Sequence, residues 1–139
     1  MSTKDLHNIT FGLVALAPKA ITTNTTTVGL EIDRKGYSAI EFFFATGVVT
    51  DGDYALAITE CATSGGSFTA VAATDLLGTS PAYTADTDDA KIARVGYIGS
   101  MRYVKASVVS TNVTSGALIT VLAVAGKPHL AATDANTGV

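Results

Sequence analysis

The chain has one cysteine, no tryptophan, three prolines and two histidines among its 139 residues, and these scarcities set limits on what it can be. The lone Cys61 leaves no disulfide to form within the chain, which fits synthesis in a reducing cytoplasm. Inside an apolar stretch it reads as a small packed side chain rather than a nucleophile. Also missing are a phosphate-cradling glycine loop, a G-x-S-x-G elbow, an H-E-x-x-H pair and a C-x-x-C pair. The two histidines, His7 and His129, stand at opposite ends of the sequence, so neither a shared metal site nor a base role is expected of them. Asp86, Asp88 and Asp89 lack the remaining ligands and the closing glutamate of a calcium loop, and read as a solvated acidic loop. The expectation is a protein that is not an enzyme and holds no cofactor or metal.

Charge is scarce as well. Charged residues make up 15% of the chain against 47% hydrophobic ones, so little charge remains to solvate the outer surface. Part of that surface is therefore expected to be covered in an assembly. The few charges are segregated: residues 51–90 carry seven acidic side chains and no basic one, while residues 91–139 carry five basic side chains against Asp134. Such a two-signed surface suits either pairing within the domain or contacts between copies or with a partner shell. Basic residues are too few, and the balance too acidic, for a nucleic-acid footprint.

Long apolar runs are absent too. Residues Ile9 to Ala17 end in Ala-Leu-Ala like a secretory signal, but Asp5 offsets Lys4 and Pro18 would follow the cleavage point, so no signal peptide is expected. The run is too short to cross a bilayer, and no membrane partner is expected. Without secretion, the glycosylation triplets beginning at Asn8, Asn24 and Asn112 have no consequence. Residues 1–20 then read as an extended N-terminal arm, whose Leu6, Ile9, Phe11, Leu13 and Val14 need cover.

What remains is β-pattern. Val28, Leu30 and Ile32 alternate with Thr27, Gly29 and Glu31, predicting a half-buried strand within Ile21 to Ile32. Asp33-Arg34-Lys35-Gly36 is a turn. Ile40, Phe42 and Phe44 then mark the strongest core strand of the first half, and Tyr54, Leu56 and Ile58 a second one after Asp51-Gly52, a tight-turn signal that predicts the two pair as a hairpin. A short strand at Phe68 to Ala72, a long loop over 73–90 and a strand from Lys91 to Tyr97 follow. Met101 to Val109 and Gly116 to Ala125 are predicted as a closing hairpin. Its second member is apolar on both faces, with Leu118, Thr120, Leu122 and Val124 on one side and Ala117, Ile119, Val121 and Ala123 on the other. A strand of this kind is covered on both sides, by a second sheet or by another chain.

Roughly seven short strands with turn signals between them give an antiparallel β-sandwich, jelly roll or immunoglobulin-like. The missing cysteine and tryptophan marks of immunoglobulin domains favour the jelly roll, spanning 21–130, with 131–139 a C-terminal tail. Surface contacts with a partner or another copy are expected at Phe11, Leu13, Val14, Arg34, Lys35, Asp86, Asp88, Asp89 and Lys127. An alternative, a carbohydrate-binding or tail-associated sandwich module, would use Tyr97, Arg102 and Tyr103 as a stacking surface.

One further reading rests on likeness. Thr22-Thr-Asn-Thr-Thr-Thr-Val-Gly-Leu30 before a charged turn, Arg102-Tyr-Val-Lys-Ala-Ser-Val-Val109, a Thr/Ser/Gly loop, and Gly116-Ala-Leu-Ile-Thr-Val-Leu-Ala-Val124 with a Lys-Pro close resemble the small cement, or decoration, proteins of tailed-bacteriophage heads. The similarity runs from about Ile21 to Pro128 and includes no catalytic motif. It implies a jelly-roll-like sandwich that assembles as small oligomers, a homodimer or homotrimer, on the outer capsid surface. There it would clamp neighbouring major capsid proteins after shell expansion, following synthesis in the host cytoplasm. The resemblance transfers no binding residue position by position.

Overall fold

The computed structural model describes residues 4–128. His129 and the tail expected over 131–139 lie outside the described residues. Eleven strands follow one another: β1 Thr10–Ile21, β2 Thr25–Val28, β3 Ile32–Asp33, β4 Tyr37–Val49, β5 Asp53–Cys61, β6 Thr69–Ala70, β7 Leu76–Leu77, β8 Ala82–Tyr83, β9 Ile92–Tyr97, β10 Tyr103–Thr111 and β11 Ala117–Pro128. A single short 3-10 turn, Ala73–Asp75, precedes β7. All described pairings are antiparallel.

Two sheets result. One has the order β1-β11-β4-β9-β7, the other β2-β10-β5-β6, with β3 also on β10 and β8 also on β5. From β4 onward the longer strands β4, β5, β9, β10 and β11 alternate between the two sheets, which is the wiring of a jelly roll. The expected sandwich is therefore present, but both expected hairpins are not. β4 pairs with β11 and β9 while β5 pairs with β10, so the Asp51-Gly52 turn carries the chain from one sheet to the other. The segment after β10 does the same, since β10 pairs with β5 and β11 with β1 and β4. Turn residues announce a reversal of direction, and a reversal serves an arch between sheets as well as a hairpin within one.

A carboxylate fastens these two crossings together. Asp51 accepts backbone N–H bonds from Thr114, Ser115 and Gly116 at 2.8–3.0 Å, tying the β4–β5 turn to the β10–β11 loop. Those N–H donors hold the Asp51 carboxyl below the usual carboxylate range, Gly116 contributing most.

The core lies between the sheets. From the β4 side come Ile40, Phe42 and Phe44, from β11 Ile119, Val121 and Ala123, and from the facing sheet Tyr54, Leu56, Ile58, Val104 and Val108, all buried. Tyr54 and Tyr83, both core residues, donate their hydroxyls to the Asp51 and Phe44 carbonyls at 2.8 Å, so neither polar tip is left unpaired. The loop expected over 73–90 is more ordered than its composition suggests, because Tyr83 anchors it against Phe44 with ring centroids 4.8 Å apart.

Two segments depart from the sequence reading. Residues 10–20 do not form an arm outside the domain: β1 is the edge strand of the five-stranded sheet, in register with β11 from Thr10↔Gly126 to Ile21↔Ala117. Irregularities on either side of Leu16 bring Ala15 and Leu16 into the core consecutively, and Pro18, which has no N–H to give, falls within the second of them. The strand predicted within Ile21 to Ile32 is broken after Val28. There Gly29 N–H bonds to Ala106 O and Leu30 N–H to Ala15 O, stitching the edges of the two sheets together. Only glycine fits: a Cβ at position 29 would lie 2.2 and 2.3 Å from the Ala106 and Ala15 carbonyl oxygens. Val28 and Leu30 consequently face outward, and only Ile32 of the predicted face is buried.

Candidate interaction surface

β11 alternates strictly. Ala117, Ile119, Val121, Ala123 and Ala125 are buried between the sheets, and Leu118 and Leu122 on the opposite side are 50% and 43% exposed. The register builds the rest of that outer face. Leu122 stands between Val14 of β1 and Phe43 of β4, and Phe43 stands beside Arg94 of β9. One row toward the far end, Thr120 is level with Ala45 and Ala45 with Ile92, which is 65% exposed. One row the other way, Val124 is level with Glu41 and Gly96. Leu77 lies close over Gly96 and extends the apolar surface.

Four strands at about 4.8 Å spacing and some eight residues of length make a face of roughly 500 Å², the size of the largest apolar patch on a typical monomer, which is often a contact site. The charge on it is slight: Arg94 and Glu41 approach at 3.9 Å and neutralise one another. The outer face of the other sheet is different. It presents Ala55, Ala57, Thr59, Thr26 and Lys105, with Val28 and Val109 the large apolar residues exposed among them, and the Lys105 ammonium lies 4.1 Å from the Phe68 ring centroid.

The expected contact residues divide among three places. Val14 lies on the apolar outer face, whereas Phe11 and Leu13 pack against the core, Phe11 stacking on Tyr37 at 6.2 Å. Arg34, Lys35 and Lys127 gather at the end of the sandwich where Tyr37 pairs with Pro128. Asp86, Asp88 and Asp89 lie at the opposite end, beside Thr46 and Val49. There Asp88 accepts the N–H groups of Thr84 and Ala85 and pairs with Lys91 at 2.7 Å, contacts that hold its carboxyl below the usual range, with Lys91 the largest cause. Leu118, Leu122, Phe43 and Ile92 were not among the expected contacts. The signal for two of them was the two-faced apolar pattern of β11; Phe43 and Ile92 join them only through the β4 and β9 register.

The stacking surface expected of Tyr97, Arg102 and Tyr103 does not form. Tyr97 is 1% exposed and donates its hydroxyl to Glu60; burial first, and that bond second, push its pKa up to about 12. Arg102 holds Asp33 through two bonds of 2.7 and 2.8 Å and lies over the Tyr103 ring at 5.0 Å, covering it. Among the described residues no group of three or more His, Cys, Asp or Glu side chains could hold a metal ion, and no helix is long and apolar enough to cross a membrane.

No family model matches the chain, and no curated protein matches it. Among solved structures, a chain from the structure of the infectious bursal disease virus Gx strain is similar to it at 13% identity and a TM-score of 0.29. The alignment covers 94% of this chain and 44% of that one, so this chain spans less than half the viral protein's length. So loose a superposition carries no functional argument.

Proposed function

We propose that the protein is a non-enzymatic structural component of a virion, a cement or decoration protein. In this reading it lies on the outer surface of a tailed-phage capsid and stabilises contacts between major capsid proteins. The observation that supports this most is the apolar outer face of the β11 sheet. It is built on four paired strands, and its charges Arg94 and Glu41 approach one another at 3.9 Å. Such a surface suits adhesion to another protein surface and offers no positioned acid, base or nucleophile.

Magnitudes favour multiplicity. Covering roughly 500 Å² of mostly apolar surface gives about 10 kcal/mol before the costs of association, which are themselves about 4–15 kcal/mol. One copy acting alone would therefore hold weakly. Repetition over a shell of many copies turns modest contacts into lasting stabilisation.

The test is co-sedimentation of the purified protein with expanded heads lacking their decoration protein. Saturable binding, with heads that survive heating or chelation better than bare ones, is the expected result. Protein that stays in the supernatant at every concentration would end the capsid reading.

A further inference from the structure

At the end where Tyr37 pairs with Pro128, the turn preceding β4 and the segment preceding β10 border an open, shallow cleft of about 520 Å³. Its lining includes Arg34, Lys35 and Arg102 with the polar groups of Tyr37, Ser38 and Ser100, and contains no carboxylate. The cations are not all free to wander. Arg34 donates to Gly99 O and Met101 O and lies 5.2 Å from the Tyr97 ring centroid, so its guanidinium is fixed in place. Arg102 is held by Asp33 at the cleft margin. Lys35 is exposed, its backbone N–H turned to Asp33 at 3.0 Å. The result is an open depression in which Arg34 is fixed, Lys35 projects from the rim and Arg102 is already paired with Asp33, suited to a carboxylate presented on a compact turn.

The opposite end carries such a turn. Asp88 accepts N–H bonds from Thr84 and Ala85, Asp88 N–H bonds to Ala85 O, and Ala90 N–H bonds to Gly47 O, so the loop from 84 to 90 is fixed to the sandwich at its base. At its tip Asp86 and Thr87 are exposed, and Asp89 is exposed with one oxygen on Val49 N–H. Asp51 and Asp53 stand nearby, and Lys91 and Lys19 are the cations on that side.

We infer that the basic cleft takes the Asp86–Asp89 turn of a second copy, so that copies join head to tail. Because the two complementary surfaces lie at opposite ends of one molecule, the contact is heterologous. Repetition gives a closed ring where the rotation permits and an open chain where it does not. If the apolar face rests on a shell, the strands run along that shell and both charged ends point sideways at neighbouring copies. The self-contact itself does not depend on the capsid reading.

The experiment is sedimentation velocity in solution, without capsids, on the full chain and two single variants of exposed residues, Lys35→Glu and Asp86→Lys. At low ionic strength the unaltered protein should sediment as more than one copy. It should return to one copy near 1 M salt, where the screening length falls to about 3 Å. Each variant alone should lose association at least tenfold with its circular dichroism unchanged, and an equimolar mixture of the two should regain it, since each supplies the surface the other lacks. A protein that sediments as one copy at low salt, or association indifferent to both reversals, overturns the proposal. So does association that Leu122→Arg abolishes while Lys35→Glu leaves it intact, which would place the contact on the apolar face. Head binding is scored separately by co-sedimentation, so loss of either result leaves the other standing.

Discussion

The two outer faces of this sandwich flank one shared apolar core, yet they differ in how much apolar surface they leave uncovered. Outside the β11 sheet stand Leu118, Leu122, Phe43, Val14 and Ile92 in adjoining rows; outside the β10 sheet stand mainly alanines and threonines with Lys105, and of the large apolar residues only Val28 and Val109. Both inner faces are equally apolar, so stability of the lone domain cannot account for the difference. Small neutral side chains are enough for a solvated β-surface, and large branched and aromatic ones in contiguous rows are what an interface uses. The comparison separates what the chain needs to fold from what it holds in reserve for contact.

The separation is sharpest at neighbouring residues. Phe44 is fully buried and Phe43, beside it on β4, lies on the outer side. Phe44→Ala should cost about 3–5 kcal/mol in urea unfolding, and Phe43→Ala less than about 1 kcal/mol. Equal losses would mean that the outer face is part of the fold after all. Next in size is the effect on binding. Leu122→Arg should weaken head binding by more than tenfold with an unchanged unfolding midpoint, while Thr59→Arg on the other outer face should leave binding as it was. A Thr59→Arg protein that bound as poorly would remove the distinction between the faces.

A smaller effect tests the fastening that belongs to neither face. The Asp51 carboxyl is held below its usual range by the Thr114, Ser115 and Gly116 N–H groups. Its contribution is thus present above the unfolded value of about 3.9 and is lost as pH falls through the lower folded value. The gap in urea midpoint between the natural protein and Asp51→Asn should therefore be full at neutral pH and shrink as the pH drops below about 4. A gap that does not change with pH would show that the charge on Asp51 is not what holds the two crossings together.

Much of the architecture was legible in the residues, and the failures have a common physical cause. Alternation placed Ile40, Phe42 and Phe44 and then Tyr54, Leu56 and Ile58 on buried faces, since a period of two reports which side of a strand is covered. It does not report which strand lies alongside. Asp51-Gly52 and the loop after Thr111 therefore carry the same residue signals as hairpin turns, although each leads to the other sheet. Likewise the apolar residues of β1 showed that they needed cover, but the partner that supplies it, β11, lies at the far end of the sequence. Of the candidate site, Val14 and the two outer leucines of β11 were visible as apolar residues without a polar face opposite. Their union with Phe43 and Ile92 comes only from long-range register.

That pairing of β1 with β11 also governs how the molecule is made. Thr10 meets Gly126, so the first long strand leaves the ribosome with no permanent partner until almost the whole described sandwich has been synthesised. At cellular elongation rates that wait is on the order of ten seconds. Throughout it Phe11, Leu13 and Leu16 have no β11 to lie against, and a growing cell would have to keep them apart from the nascent strands of neighbouring ribosomes.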